Sequence, residues 1–465
     1  MAKNLKLDAY LSKNRLLRYV IWCPIIFFAG GSVVLTNMFE PTVFFFQVLQ
    51  ATFYPVFLGL LFLSFAGIRQ PSIYFLSVFC CCSLSFSQWY LNLIMVPDSM
   101  GFLINSLGDG GDDKAFFLGV VAALEDGKSV HPFSQMVAFL LSPLHQLRTV
   151  SIFDCLAVNA TFHAIGSVAI YEIIRKLTNC KRSLMYFAFV IYIFNGSLIM
   201  HGLTFMREGV LAALFVLFLF CVINHKIWLC LVMVALIGYL RNGAALLIIS
   251  VFFPALFFYY KRFFPGKVTP ITKRYSFALL LVVLFIVSLP ITLQYLRDKE
   301  IVLLSLFRIS FVEENISAFT SSYFINIFSF NWLVLKIVLS LFFMFAPLLN
   351  VELSNFWLPY NLSQLAFGVL QTFCIPLFCS AYLLFPNKHQ TFEKEKLFFI
   401  KFFTWAFLIF MGVLSVYSLQ LRHKEMFLPL FLILAALGAQ NLRRFVAPLP
   451  MFVGVVYVFL SIMFW

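Results

Sequence analysis

Charge is scarce in this chain. Asp, Glu, Lys and Arg make up 11% of its 465 residues, 62% are hydrophobic, and the mean hydropathy is +0.97. A soluble globular domain carries about 25% charged residues, so that class is excluded. Long polar stretches are missing as well. The longest runs from about 97 to 131, too short for a soluble domain of its own. The ten cysteines lack pattern: Cys23, Cys80, Cys81, Cys82, Cys155, Cys221, Cys230, Cys374 and Cys379 lie in apolar segments and Cys180 in a basic connection. Neither metal spacing nor a disulfide frame follows, and the Cys80 to Cys82 run reads as small apolar filling. No internal repeat of the inverted kind is visible. No small-residue cleavage site follows the basic start, Lys3, Lys6, Lys13, Arg15 and Arg18. The apolar run from about Val20 to Leu35 is therefore expected to be an uncleaved first helix with its N-terminus in the cytoplasm.

What is present is apolar length, with Phe alone occurring 62 times. A membrane span needs roughly 20 apolar residues, and windows of that kind recur to Trp465, giving about 12 to 14 helices. The expected fold is all-α: one polytopic transmembrane domain over residues 1–465, with re-entrant or interfacial helices on the outer, periplasmic side. The net charge of +14 is spread over short connections. Positive-inside bias accounts for it, and nucleic acid is not implied.

Loop charge sets the order of crossings. Helices near 19–36, 42–66 and 72–95 bring the chain out, so residues 97–148 form an outer loop. Within it Pro132 and Pro143 bound an apolar piece too short to span, expected to be interfacial or re-entrant. A helix near 150–174 returns to the basic connection Arg175, Lys176, Lys181 and Arg182. Helices near 183–200, 208–224, 227–240 and 244–260 follow, ending at Lys261, Arg262, Lys267, Lys273 and Arg274, again inside. A second outer segment, 297–322, carries Arg308, Glu313 and Glu314. Later spans are expected near 402–419, 426–440 and 446–465.

The charges that stand on the outer side are the candidate site. Asp109, Asp112 and Asp113 lie in a glycine-rich stretch where a span meets water, and carboxylates are costly there. A solvated turn is the competing reading, given Gly108, Gly110 and Gly111. Arg207 with Glu208 opens one helix, Arg241 directly follows another, and Arg422, His423 and Lys424 sit between two more. Arginine at a span's end suits phosphate, because its planar fork donates two hydrogen bonds at once. Glu208 can orient Arg207 or favour the helix start through the dipole. Snorkelling to the headgroups is the bland alternative for these cations. His131, His201 and Arg308 are weaker candidates. Little polarity is expected at mid-span beyond Asp154, Asn159, His163 and Lys336, which speaks against a transport path.

In order along the chain, Gly111-Asp112-Asp113-Lys114-Ala115-Phe116-Phe117, Phe205-Met206-Arg207-Glu208, Leu240-Arg241-Asn242 and Leu421-Arg422-His423-Lys424 followed by Pro429 resemble the Wzy-type oligosaccharide repeat-unit polymerases of bacteria. That resemblance, over roughly Asp109 to Arg444, implies a glycosyltransferase of the inner membrane acting at its periplasmic face in polysaccharide (O-antigen, lipopolysaccharide) biosynthesis. The donor would be a glycan on undecaprenyl diphosphate and the acceptor a sugar hydroxyl on a lipid-linked repeat unit. Asp113 or Asp112 would take the hydroxyl proton. Arg207, Arg241 and Arg422, with His423 and Lys424, would stabilise the departing diphosphate. No cofactor is required and no metal site is expected, although Asp112 with Asp113 has the chemistry to recruit Mg²⁺ or Mn²⁺. Implied partners are the membrane lipid, a flippase and a chain-length co-polymerase. The acidic pair followed by aromatics also resembles the first outer loop of GT-C-type transferases using a polyprenyl-phosphate sugar. A transporter or flippase for lipid-linked oligosaccharide is the remaining alternative.

Overall fold

A computed structural model describes residues 41–102, 112–127, 131–178, 180–263, 394–417 and 425–439, with single positions between 363 and 378. Every regular element among them is helical. In chain order they are α1 (Pro41–Ala66), α2 (Pro71–Met95), α3 (Asp112–Glu125), α4 (Pro132–His145), α5 (Ile152–Leu177), α6 (Arg182–Ile193), α7 (Gly196–Gly202), α8 (Arg207–Ile223), α9 (Ile227–Leu240), α10 (Asn242–Phe263), α11 (Lys394–Tyr417) and α12 (Leu428–Gly438). Short 3-10 turns at Pro97–Ser99 and Glu425–Phe427 precede α3 and α12. Among the described residues α2 and α5 are each long and apolar enough to cross a membrane. The protein is an all-α membrane protein.

Two elements depart from the sequence reading. The helix expected near 183–200 is broken, α6 and α7 meeting at a bend of 51°. Asn195 is the cause. Its backbone is extended, and its Oδ1 accepts the Leu198 N–H at 3.4 Å, which starts a new helix. The outer interval 97–131, taken as polar, contains α3. Asp112 and Asp113 stand in its first turn, where the dipole favours negative charge, and an apolar run follows.

The bundle is built around α5, whose most apolar window is 89% buried against 33% for α2. It packs on α1, α2, α6 and α8. Lipid tails are as apolar as leucine, so helices associate in a bilayer by close packing and hydrogen bonds rather than by expelling water. Small residues supply the closeness. A methyl group on Gly166 of α5 would stand 3.2 Å from the Ala213 Cα of α8, and one on Gly209 of α8 would stand 2.3 Å from the Gly202 Cα of α7. Polar residues line one face of α2, which buries Ser77, Cys81, Ser85, Gln88 and Asn92, three or four residues apart. From that face the Ser77 hydroxyl bonds across to the Ser167 hydroxyl of α5.

The two ends of the bundle differ in character. At one end Arg175 pairs with Glu172 at 2.6 Å, Lys176 Nζ donates to the Ile223 carbonyl at 3.4 Å, and Lys226 Nζ donates to the Ala66 carbonyl. The basic connections after α1, α5 and α8 thus gather together, as the alternation of crossings expects. At the other end lie α3, α4, the start of α5 and the start of α8. There Asp154 closes a capping box with Ser151 and binds Arg148 through both carboxylate oxygens, at 2.6 and 2.9 Å. Asp154, counted above among mid-span polar groups, is therefore a helix-start residue whose charge is matched. Removing it by Asp154→Ala leaves Arg148, only 19% exposed, without its partner. A loss of about 2–3 kcal/mol is expected in denaturant titration of the detergent-solubilised protein, with Arg148→Met/Asp154→Leu recovering the ion-pair part but not the cap that Asp154 gives Ser151.

Candidate functional site

The site begins with a turn that the α-helical ladder cannot satisfy. Between α7 and α8 the chain runs through Leu203, Thr204, Phe205 and Met206, leaving carbonyls without helical partners. Side chains from the neighbouring helices supply them. Asn159 of α5, fully buried, donates from Nδ2 to the Thr204 carbonyl at 2.6 Å and to the Met206 carbonyl at 2.8 Å. Ser85 of α2 donates to the Leu203 carbonyl. Met206 is then extended, and α8 begins at Arg207.

Onto this turn the α3–α4 hairpin is seated by an aromatic chain. Phe116 packs on Phe133 and Phe133 on Phe205, both at 5.1 Å between ring centroids, and Ser134 Oγ donates to the Phe116 carbonyl at 2.9 Å. The hairpin carries Asp113 with it. Asp113, 4% exposed, lines a narrow cleft whose other walls include Ser85, Trp89 and Asn92 of α2, Leu156 of α5, and Thr204 and Phe205. The cleft measures about 10 Å³, room for one water-sized polar group. So small a space admits a single hydroxyl-sized group and not a ring.

Asp113 Oδ1 accepts the Lys114 N–H at 2.9 Å, while Asp112 points outward. Arg207 is about one-third exposed, and its Nε lies 3.3 Å from Glu208 Oε1; Glu208 itself is buried. Glu208 thus holds Arg207, as the sequence reading allowed. The acidic motif and the start of α8 are brought to one end of the bundle, joined through the Leu203–Met206 turn. Arg241 caps α9 at the same end, where Tyr239 Oη donates to Gln135 Oε1 of α4 at 2.6 Å. His131 is exposed, edge-on to Phe116 at 5.4 Å. His201 is buried on α7 and bonds through Nδ1 to Glu425 Oε1, which also accepts the Ser197 hydroxyl. Asp109, Arg308, Arg422, His423 and Lys424 lie outside the described residues. Among the described residues no group of three or more His, Cys, Asp and Glu stands where it would hold a metal ion.

Ser85, Asn92, Thr204 and, beyond its mention as a mid-span polar group, Asn159, together with Glu425, escaped the sequence reading. The first four are neutral polar residues inside apolar runs, and their signal is weak: Ser85 and Asn92 continue the three-or-four spacing of the buried face of α2. Glu425 directly follows Lys424, and the cations beside it drew the attention. Phe116 is spent on seating the hairpin, and Trp89 lines the cleft. Asn159→Ala strands the Met206 carbonyl, while the Thr204 carbonyl keeps the Met206 N–H at 2.8 Å, so a loss of about 1–2 kcal/mol in stability is expected. Denaturant titration of the detergent-solubilised variant checks it. Comparison with protein-family models, with curated proteins and with solved structures returned no match, so the reading of this site rests on the chain's own residues.

Proposed function

We propose that the protein polymerises undecaprenyl-diphosphate-linked oligosaccharide repeat units at the periplasmic face of the bacterial inner membrane. The observation that carries the reading is the shared cleft: the buried Asp113 lines it together with the turn that leads directly into Arg207. A sugar hydroxyl entering the cleft meets a carboxylate suited to take its proton as the new glycosidic bond forms. The bond from the donor sugar to diphosphate breaks as that bond forms, and charge accumulates on the departing undecaprenyl diphosphate. Arg207, held by Glu208, and Arg241 are cations preplaced for that charge, stabilising the transition state more than the ground state. Arg422, His423 and Lys424 would join them. The chemistry needs no metal where cations do this work; Asp112 with Asp113 is the pair to examine if Mg²⁺ or Mn²⁺ stimulates it. A flippase supplying the substrate and a chain-length co-polymerase are the expected partners.

The test is the profile of lipid-linked glycan in cells deleted for the gene and complemented with wild type or Arg207→Ala. Accumulation of single repeats in the deletion and in Arg207→Ala, with a ladder restored by wild type, supports the polymerase. A ladder surviving the deletion sinks it and turns attention to GT-C-type transfer. A lipid-linked oligosaccharide transporter is the second reading, favoured by the broken α6–α7 crossing, since discontinuous helices frame many transport sites. Loss of lipid-linked units from the outer leaflet, rather than loss of their polymerisation, would select it. The orientation has its own check. Cys180 is exposed, and the other described cysteines are buried or half-buried; a membrane-impermeant maleimide is expected to label Cys180 from the cytoplasmic side only.

A further inference from the structure

One wall of the Asp113 cleft holds an indole in a fixed place. Trp89, near the end of α2, packs its ring edge-on against Phe153 of α5, at 4.8 Å between centroids and 67° between planes. On the other side lies Gly101. The loop after α2 is tied back to the helix: Asn92 Nδ2 donates to the Gly101 carbonyl at 3.4 Å, Ser99 Oγ to the Asn92 carbonyl at 3.2 Å, and the Gly101 N–H to Ser99 Oγ at 3.0 Å. Gly101 has a φ of 81°, and a methyl group on it would stand 2.3 Å from Trp89 Nε1. Only a residue without a side chain leaves the indole nitrogen that room. Nε1 is itself buried, and no described residue accepts its N–H. The neutral side-chain donors beside it are engaged within the fold: Asn92 with Gly101, Ser85 with the Leu203 carbonyl, and Thr204 with the Met200 carbonyl.

An indole N–H only donates. Its partner in the cleft is therefore an atom with a lone pair, and a volume of about 10 Å³ limits that partner to one water-sized group. The geometry points to Trp89 and Gly101 as the seat of a single alcohol oxygen, the acceptor hydroxyl of the glycan, in the same cleft as Asp113. The identity of the alcohol rests on the polymerase reading; the seat rests on the cleft alone. A hydroxyl oxygen has two lone pairs and one proton. The indole takes one lone pair, the second remains for the donor sugar carbon, and the proton is left for the carboxylate. An acceptor in the indole's place would compete with Asp113 for that proton, which a group that only donates cannot do.

Two measurements test the seat and its role. The first needs no reaction. The protein has seven tryptophans, so ultraviolet resonance Raman spectra of the full chain in lipid nanodiscs are taken with and without Trp89→Phe. The difference isolates the Trp89 indole, whose ring modes report whether its N–H is bonded. With water as the probe, a bonded indole is expected in the wild-type background and a non-bonded one in the Gly101→Ala background, where the methyl fills the space before Nε1. If Gly101→Ala is not recovered folded, Leu156→Phe fills the cleft from the α5 wall. A non-bonded indole in wild type, or a bond that persists in the filled variant measured, overturns the seat. The second measurement replaces Trp89 by 3-benzothienylalanine, which puts sulfur where the N–H stands and keeps the two-ring shape against Phe153. Polymer formation is expected to fall about tenfold at unchanged amounts of folded protein, the size of one lost hydrogen bond. Full polymer formation overturns the substrate role. If glycan ladders survive deletion of the gene, the polymerase reading fails, and the Raman comparison still decides the seat on its own.

Discussion

Under the proposed polymerase activity, Asp113→Asn is expected to lower glycan polymerisation by about 10²- to 10⁴-fold, the range that a positioned general base contributes, while the folded protein survives. The two halves of that expectation come from the same side chain. In the structure Asp113 Oδ1 serves as an acceptor for the Lys114 N–H at 2.9 Å, and an asparagine oxygen can accept that bond in the same place. The helix start loses part of its favourable charge, an effect of about 0.3–1 kcal/mol near a helix N-terminus. What asparagine cannot do is take a proton. A stability change under about 1 kcal/mol with near-complete loss of polymer therefore separates chemistry from folding. Asp112→Asn is the control: Asp112 is exposed and outside the cleft, so a small effect is expected there. If Asp113→Asn retains the full ladder, proton removal does not pass through this carboxylate. A result in which Asp112 and Asp113 are equally sensitive would point instead to a shared metal.

Gly209→Ala is expected to destabilise the fold by about 3 kcal/mol, the upper part of the range for overpacking. The added methyl would stand 2.3 Å from the Gly202 Cα, 2.8 Å from its carbonyl oxygen and 3.0 Å from its carbonyl carbon. All three obstacles are backbone, so no side chain can swing aside; α7 and α8 must part. Their separation pulls on the Leu203–Met206 turn between them and so on the cleft. Gly243→Ala in α10 is the same chemical change with the opposite expected sign. A methyl there has open space within 4 Å, and replacing a helical glycine is worth about 0.5–1 kcal/mol in lost unfolded-state freedom. Denaturant titration of the two variants in the same detergent gives the comparison. Equal stabilities would mean that the α7–α8 contact yields easily, contrary to the packing described.

The amino-acid sequence by itself determined the class of this protein, because the need to bury backbone polar groups within helices leaves a chain of this hydropathy few other folds. It also determined most helix limits, since prolines, basic connections and apolar runs mark them locally: Pro71, Pro132, Arg182 and Arg207 each stand at the start of a helix. The arginine and aspartate candidates were legible for the same reason, charge being conspicuous in an apolar chain. Three things were not legible in the sequence, the second and third because only tertiary structure decided them. The break between α6 and α7 follows from the local capping by Asn195, but an apolar run continues across it and hides it from a hydropathy reading. The meeting of Asp113 with the turn before Arg207 depends on Phe116, Phe133 and Phe205 stacking across three separate elements, and in a chain so rich in phenylalanine no sequence signal distinguishes those three. Asn159 and Glu425 gained their roles by facing, from 45 and 224 residues away, the carbonyl of Thr204 and the imidazole of His201. A neutral amide or a lone acid has no periodicity to betray it; its meaning lies in the unsatisfied group opposite, and only folding puts that group there.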